Sequence, residues 1–374
     1  MLVALSEQNE RFVLQPDIPK TTLKQLRKDV SFFCPQCKSD VQLKIGTIKI
    51  PHFAHLPNHH CDSLFAEGES AQHLLGKAHL FHLFQRLGYE VELESFLSEL
   101  NQRPDLLVKN DIDKCNAIEF QCSPIPNDLY LKRTNGYLTN NITPIWIPST
   151  PKTKNLSTGI TTISLNENLQ KFILSTINQK YLFTYNPDKR QFTYMTNLLH
   201  IKDNQYLSKI QHIPLEQQAF PFYVPKNLTW DEFKHYANVY FNLKERYLTY
   251  RIHISKKGVN DLFLRSVYEL RLSLSEIPIY IGVPLKDNEF FKVCSVEWQA
   301  ALFYFTHLHR IHIGKLNRQA IQYFLKWAKL NISDESISIV LNYCNLLNQL
   351  KIEHAHSSVD TDKILWTLYT QFLA

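Results

Sequence analysis

The sequence predicts an α/β protein with a mixed β-sheet, a small N-terminal β module and a mainly helical C-terminal region. Three observations support this. Residues 63–150 alternate between helical and strand patterns, which favours an α/β core. Residues 1–62 show short strands and turns around a cluster of cysteines and histidines. Residues 151–374 begin as a mixed region and become strongly helical after Trp230. We therefore predict three domains with these bounds.

The central region defines the order of the core elements. Apolar residues at helical spacing predict its helices, and alternating or short apolar runs predict its strands. The region begins with a helix whose apolar residues run from Leu74 to Phe84 and which ends at Gly88. The elements predicted after it are a strand over Tyr89 to Phe96, paired strands at Asp105 to Val108 and Ala117 to Gln121, a helix over Asn127 to Leu138, and a strand from Pro144 to Pro148.

The composition narrows the function classes. The chain has 374 residues, of which 44% are hydrophobic and 20% charged, a balance typical of a globular protein. The net charge of +6 permits a partner with a phosphate backbone but does not require one. The nine glycines form no phosphate-binding loop, which argues against an ATPase or a nicotinamide enzyme. No signal-like or membrane-spanning run is found, so we expect a cytoplasmic protein without a membrane partner.

The cysteine and histidine cluster predicts a structural zinc site. Thiolates and imidazoles in a set of four are the ligands that suit zinc. The predicted ligands are Cys34, Cys37, His55 and Cys61. His52 is an alternative to His55, and His59 or His60 are weaker alternatives. A cluster of reduced, unliganded cysteines is the competing interpretation.

Carboxylates on the predicted hairpin indicate a second metal site. Asp105 and Glu119 lie on neighbouring strands, and Glu119 and Gln121 share a strand face because they are two residues apart. Two carboxylates in this arrangement can share a hard cation such as Mg²⁺. Such an ion polarises a phosphodiester and helps to generate hydroxide from a bound water.

The first helix of the central region adds three polar residues to this site. Glu69, His73 and Lys77 are spaced four residues apart, which places them on one helix face. The helix could place Glu69 and His73 beside Asp105 and Glu119. Taken alone, Glu69, His73 and Lys77 are better explained as a solvated helix face, and Asp105 and Glu119 as charges on a surface hairpin. Together these residues predict a hydrolytic metal site.

The second helix of this region offers candidate DNA contacts. Arg133 and Tyr137 are four residues apart and could share the face of the active site, where Arg133 would contact a phosphate. Lys132 is better explained as part of a solvated face.

These motifs together resemble a known family. Arg103-Pro104-Asp105 followed by Ile118-Glu119-Phe120-Gln121 resembles the P-D…(D/E)-x-K motif of the restriction-endonuclease-like superfamily. The longer pattern resembles the competence protein CoiA family. The segments that carry it are Cys34-Pro35-Gln36-Cys37, His52-Phe53-Ala54-His55, Gly68-Glu69-Ser70 with His73 and Lys77, Glu119 to Ser123, Arg133 with Tyr137, Ile145-Trp146-Ile147, Ile281-Gly282 and Val296 to Gln299.

The resemblance implies a restriction-endonuclease-like nuclease domain between a zinc module and a helical C-terminal domain. It also implies a role in natural transformation, namely processing or recombination of incoming DNA that is single-stranded or branched. The implied partners are DNA, the RecA recombinase and other competence proteins. The implied cofactors are Mg²⁺ or Mn²⁺ at the nuclease site and structural Zn²⁺.

One residue departs from the superfamily motif, because Gln121 stands where a lysine is usual. An amide can orient a water but supplies no positive charge. Two hypotheses follow. In the first, Glu69, Asp105 and Glu119 hold the metal, Gln121 orients the attacking water, and His73 and Lys77 contact the scissile phosphate or tune the site. In the second, the same fold binds DNA and a recombinase without cutting.

Overall fold

The computed structural model describes residues 1–15, 18–56, 69–110, 114–151, 156–176, 179–254 and 260–370. The chain divides into two compact units. The first unit contains Met1–Lys154, Phe183–Tyr194 and His212–Val224. The second unit contains Asn155–Leu182, Met195–Gln211 and Pro225–Ala374. The three domains with bounds 1–62, 63–150 and 151–374 stay a prediction.

The described residues form ten α-helices and fourteen β-strands. The helices are α1 (Lys20–Asp29), α2 (Ala71–Arg86), α3 (Asn127–Thr139), α4 (Glu167–Gln170), α5 (Trp230–Ile254), α6 (Leu262–Glu269), α7 (Ser295–His309), α8 (Arg318–Trp327), α9 (Asp334–Gln349) and α10 (Thr361–Leu368). The strands are β1 (Val3–Leu5), β2 (Arg11–Val13), β3 (Phe32–Phe33), β4 (Asp40–Lys44), β5 (His52–His55), β6 (Glu90–Leu93), β7 (Leu106–Asn110), β8 (Lys114–Gln121), β9 (Ile142–Pro148), β10 (Gly159–Ser164), β11 (Leu174–Ser175), β12 (Lys180–Asn186), β13 (Gln191–Lys202) and β14 (Gln205–Pro214).

The N-terminal strands form a small sheet in the order β2-β1-β3-β4-β5. Strand β4 alternates between exposed polar residues and the buried Val41 and Leu43, so the sheet has one core face. The rings of Phe32 and Phe53 lie 4.8 Å apart on this face, and Leu23 of α1 is buried in the same cluster. The short strands predicted around the cysteine and histidine residues are therefore present.

The sheet that carries the candidate site has the order β6-β7-β8-β9. Strands β6, β7 and β8 pair antiparallel, whereas β8 and β9 pair parallel. A parallel pair cannot be joined by a tight turn, and α3 supplies the crossover between β8 and β9. This arrangement confirms the predicted α/β class with a mixed sheet.

Both faces of β8 are covered by helices. Phe120 packs toward α2, where its ring stacks 6.0 Å from that of His73. Glu119 lies on the other face and pairs with Arg133 of α3. The crossover helix α3 therefore covers the side of the sheet on which Glu119 lies.

The remaining strands form a sheet in the order β10-β14-β13-β12-β11. The sequence of this region shows only weak helix and strand patterns. In β13 every residue from Phe192 to Ile201 is buried, so the strand shows no alternation by which it could be recognised.

Helices dominate the C-terminal part of the second unit, as the sequence predicted. Helix α7 is buried from Ser295 to Thr306 except at Glu297, and it forms the centre of an apolar cluster. A helix that is hydrophobic on all sides belongs in the middle of a bundle. No helix in the described ranges is long and apolar enough to cross a membrane.

Helix α2 approaches the sheet closely because residue 76 is glycine. A Cβ atom at Gly76 would lie 2.1 Å from a ring carbon of Phe120. We predict that Gly76→Ala destabilises the fold by about 1–3 kcal/mol through overpacking. This cost exceeds the gain of roughly 1 kcal/mol in helix propensity. Urea unfolding measures the difference.

Gly46→Ala is the matched control. A Cβ atom there would meet nothing nearer than the Lys49 carbonyl at 4.0 Å, so its effect should stay within about 0.5 kcal/mol. Equal effects of the two substitutions would contradict the proposed close packing of α2.

Candidate functional site

Helix α2 presents His73 and Lys77 toward one end of the central sheet, and Glu69 lies beside them just before the helix cap. Ser70 caps the helix, since its hydroxyl accepts a hydrogen bond of 3.1 Å from the backbone N–H of His73. A cap of this kind fixes the first turn of a helix. Glu69 lies directly before this cap, and its carboxylate is close to the side chains of His73 and Lys77 in the first two turns of the helix.

His73 bridges two carboxylates. Its Nε2 lies 3.0 Å from Oδ2 of Asp105, and its Nδ1 lies 3.3 Å from Oε1 of Glu69. One ligand atom from each of the three residues lies within 4.8 Å of the others, so Glu69, His73 and Asp105 could hold a metal ion. The structure thus brings together the helix residues and the first of the two predicted strand carboxylates.

Asp105 is held by the backbone as well as by His73. The backbone N–H of Phe120 donates a hydrogen bond of 2.8 Å to its Oδ2. Asp105 lies directly before β7, and Phe120 lies on the neighbouring β8. The position of this carboxylate is therefore fixed by the pairing of the two strands.

Lys77 is buried in the centre of the cluster, with 1% of its side chain exposed. Its ammonium pairs with Glu69 and Glu94 and lies 3.8 Å from Oδ1 of Asp105. A buried charge is stable only when it is paired. These carboxylates outweigh the effect of burial and raise the pKa of Lys77, so the side chain stays charged.

Glu94 belongs to this cluster, although the sequence analysis did not identify it. It follows β6 in a left-handed conformation with φ of 53°, and its carboxylate accepts a hydrogen bond of 2.9 Å from the backbone N–H of Leu2. The available sequence signal was weak: a glutamate just after an apolar strand residue is also common in exposed turns. Only the fold shows that Glu94 lies beside Lys77.

The charges of the cluster balance. The carboxylates of Glu69, Glu94 and Asp105 face Lys77, His73 and the α-amino group of Met1, which lies 2.6 Å from Oε2 of Glu69. Burial disfavours every one of these charges. The nearby cations nevertheless hold the pKa of each carboxyl below its usual value. Burial opposes protonation of His73, but Asp105 and Glu69 raise its pKa to about 9.

Glu119 lies outside this cluster. Its Oε1 accepts hydrogen bonds from Arg133 and from the Tyr137 hydroxyl. The three side chains are buried, and burial raises the pKa of Glu119. Arg133 and Tyr137 were predicted to contact DNA; the structure instead places both in the interior, because they pair with the carboxylate on the covered face of the sheet.

Gln121 is partly buried at the end of β8. Its amide Nε2 donates a hydrogen bond of 2.7 Å to the backbone carbonyl of Ser123. The side chain lies on the same strand face as Glu119 and so points away from the face on which α2 packs.

Three of the predicted zinc ligands converge in the N-terminal sheet. Ligand atoms of Cys34, Cys37 and His55 lie within 4.8 Å of one another, with Sγ of Cys37 3.3 Å from Nε2 of His55. These residues could hold a metal ion. Burial raises the pKa of the Cys34 thiol to about 11. A bound cation would favour the thiolate instead.

The geometry distinguishes His55 from its alternatives. His52 lies on the opposite face of β5, and its Nδ1 lies 2.9 Å from the carbonyl of Ile50. Cys61, His59 and His60 lie outside the described residues.

Comparisons with known proteins agree with this architecture. A family model for the nuclease-like domain of competence protein CoiA matches residues 69–227. Models for the N-terminal and C-terminal domains of the same protein match residues 16–64 and 237–354. The chain is thus a competence protein of the kind that carries a nuclease-like domain.

The similarity extends over most of the length of one relative. The chain is 29% identical over 319 residues to competence protein CoiA of Bacillus subtilis (strain 168), a match that covers 82% of this chain and 80% of the relative. The chain belongs to the competence protein CoiA family. The search of solved structures found no significant match.

Removal of the Arg133 charge tests the buried pair. Arg133→Met leaves the Glu119 carboxylate uncompensated in the interior, so we predict a loss of about 3–5 kcal/mol in the free energy of unfolding. Adding Glu119→Gln should recover part of this loss, because the two sites are coupled. Denaturant unfolding of both single variants and the double variant measures the coupling.

Lys132→Met is the control, since Lys132 is the exposed neighbour of Arg133. It should change the stability by no more than about 0.5 kcal/mol. Additive effects of Arg133→Met and Glu119→Gln would contradict the pairing.

Proposed function

We propose that this protein is a metal-dependent DNA nuclease whose centre is formed by Glu69, His73 and Asp105, with Lys77 beside them. The convergence of these side chains at one end of the central sheet is the observation that carries the proposal. Perturbed charged groups that converge in this way are typical of functional sites.

The topology supports the assignment to the restriction-endonuclease-like superfamily. The elements α2, β6, β7, β8, α3 and β9 follow one another as helix, three antiparallel strands, crossover helix and parallel strand. Asp105 precedes one hairpin strand, and Glu119 and Gln121 lie on the other. This order and these positions resemble the P-D…(D/E)-x-K core.

The donor set fits Mg²⁺ or Mn²⁺. Both ions prefer oxygen ligands, and Glu69 and Asp105 offer carboxylates. Glu94 adds a buried Oε2 that has no hydrogen-bond partner among the described residues. His73 faces a carboxylate through each ring nitrogen, so it would have to lose a proton before Nδ1 or Nε2 could become a ligand.

The residues around this centre have distinct chemical tasks. A bound ion would polarise the phosphodiester and lower the pKa of a water. The ammonium of Lys77 lies beside the carboxylates of the centre. Lys77 would therefore supply the positive charge that the usual lysine provides and that Gln121 lacks. Gln121 points away from the α2 face, so it would orient water through its Oε1 only after its side chain leaves the Ser123 carbonyl and turns toward the centre. Glu119 would hold Arg133 on the face of the sheet that α3 covers. Its carboxylate could bind the metal only after its hydrogen bonds to Arg133 and Tyr137 are broken.

The proposed substrate is DNA in a single-stranded or branched form, handled during natural transformation. The name of the Bacillus subtilis relative, a competence protein, supports this role. The RecA recombinase and other competence proteins are the proposed partners, acting in the cytoplasm on incoming DNA during recombination. A contact of Arg133 or Tyr137 with DNA would require each side chain to leave Glu119, so the proposal does not depend on it.

A second function is favoured by two observations. Gln121 replaces the usual lysine, and the charges of the cluster balance without any metal ion. In this alternative the protein binds DNA and a recombinase through the nuclease fold and cuts nothing.

A cleavage assay separates the two functions. Labelled single-stranded, duplex and branched DNA are incubated with the full chain in Mg²⁺, Mn²⁺ or EDTA. Cleavage should require metal, and Glu69→Gln or Asp105→Asn should slow it roughly 100-fold or more, because a metal ligand supports several kcal/mol of charge stabilisation.

Glu99→Gln is the matched control, since Glu99 is an exposed carboxylate outside the cluster. It should cut at the rate of the unchanged protein. If no DNA is cut, or if Asp105→Asn cuts equally fast, the nuclease proposal fails; retained DNA binding would then support the alternative.

We also propose that Cys34, Cys37 and His55 hold a structural zinc ion, with Cys61 as the fourth ligand. A closed set of four protein ligands stabilises a small module that has a limited core. Metal analysis of the purified protein should give about one zinc per chain.

The Cys37→Ser variant should lose this zinc and melt at a lower temperature. The Cys115→Ser variant, whose substitution lies outside the cluster, should retain the zinc and the melting temperature of the unchanged protein. Zinc-free protein after gentle purification would contradict the site.

A further inference from the structure

The segment from residue 298 to residue 333 contains no acidic side chain, although the whole chain has 35 acidic residues for its 41 lysines and arginines. The net charge of the chain is only +6, so most of its excess positive charge lies in this one segment. The basic residues of the segment are His307, His309, Arg310, His312, Lys315, Arg318, Lys326 and Lys329.

The segment covers most of α7, the connection after it and α8. Helix α8 buries its apolar residues, and its outward face carries Gln322, Tyr323 and Lys326, which are all exposed. Residues three or four positions apart are neighbours on a helix surface, so Lys326 lies beside both Gln322 and Tyr323. Arg310 is exposed directly after the end of α7. Two elements of the segment therefore present polar and basic side chains to solvent.

Aromatic contacts join these two elements. The ring of Tyr323 lies 5.7 Å from that of His309 and 5.7 Å from that of Phe305. His309 in turn packs 4.5 Å from Phe305, which is buried in α7. Tyr323 nevertheless remains 55% exposed. Phe305 thus supports the two outer rings from within, and it holds an exposed tyrosine close to the residue that precedes Arg310.

Two cations next to these rings have no acidic partner. Arg310 and Lys326 each form no ion pair of 4.0 Å or less with a described residue. A cationic surface without neighbouring carboxylates attracts a polyanion. The arrangement of exposed cations around an exposed aromatic ring is typical of proteins that bind single-stranded nucleic acid.

The acidic groups that border the segment lie at its edges. Asp334 pairs with Arg318, and Glu353 lies 3.5 Å from His312. Lys329 borders a cavity that two carboxylates also line, so we do not count it with the exposed cations around Tyr323. What remains is a basic surface, which we define as His309, Arg310, Gln322, Tyr323 and Lys326.

We propose that this basic surface binds single-stranded DNA. An unpaired base would stack on Tyr323 beside His309, because such stacking accepts any base. Arg310 and Lys326 would pair with backbone phosphates, and the amide of Gln322 would donate a hydrogen bond to one of them. The exposed ring between the cations favours a nucleic acid over an acidic protein. The choice of DNA rests on the proposed function, but this binding needs no metal ion.

The test is the binding of a labelled single-stranded oligodeoxynucleotide to the full chain in EDTA, followed by fluorescence anisotropy at a series of salt concentrations. The logarithm of the association constant should fall linearly with the logarithm of the salt concentration, by about 0.7 for each phosphate contacted. Lys326→Met and Arg310→Asn should each weaken binding severalfold and reduce this slope by about 0.7. Asparagine suits the left-handed backbone of residue 310.

Lys363→Met is the matched control, since Lys363 is an exposed lysine of α10. It should change neither the affinity nor the slope.

Substitution of Tyr323 separates stacking from charge. Tyr323→Leu should weaken binding of the single strand about tenfold without changing the salt slope, because stacking involves no phosphate. Tyr323→Phe keeps the ring and should retain the affinity. A blunt duplex of the same sequence offers no unpaired base, so Tyr323→Leu should not weaken its binding.

The outcomes distinguish this proposal from the nuclease proposal. If the protein cuts DNA but Lys326→Met and Arg310→Asn bind with unchanged affinity and slope, the proposal for the basic surface alone is overturned. If both variants bind weakly and no DNA is cut, the basic surface is supported and only the nuclease proposal fails. Absence of binding in EDTA overturns the proposal. So does polyglutamate that displaces the strand as well as an unlabelled strand of equal charge, since the partner would then be an acidic protein.

Discussion

The pairing of one buried ammonium determines how the first unit is assembled. Lys77 lies in the interior, where an unpaired charge is too costly to persist. It must therefore meet Glu69 and Glu94, which come from different elements of the chain. Helix α2, the end of β6 and the residue before β7 are thereby drawn to one place. The candidate centre lies where helix α2, the central sheet and the N-terminal residues come together around this ammonium.

The sequence predicted the order of the core elements because their apolar patterns are local. The helix around Leu74 to Phe84 and the hairpin that carries Asp105 and Glu119 could be read from periodicity alone. The proximity of His73 to Asp105 also followed, since spacing of four residues places Glu69, His73 and Lys77 on one helix face. Patterns of this kind carry information about which residues share one face of a helix or strand.

The sequence could not show what covers each face. Glu119 was expected beside Asp105, but which side of a central strand meets a crossover helix depends on packing. Glu94 gave no usable signal, since its role depends on a long-range pairing with Lys77. The buried strand β13 showed no alternation, so its place in a sheet could not be anticipated. In each case the deciding contact joins residues that are far apart in the sequence.

The backbone contact of Asp105 has a consequence for the denticity of this carboxylate. Oδ2 already accepts from the N–H of Phe120 and lies 3.0 Å from Nε2 of His73, which leaves Oδ1 as the less engaged oxygen. A cation bound here as proposed could reach Oδ1 without displacing either of these contacts. Because Mg²⁺ requires six ligands in a nearly regular octahedron, most of its coordination sphere would come from water and from the substrate. Pairing between β7 and β8 thus limits how many ligands the protein itself can provide.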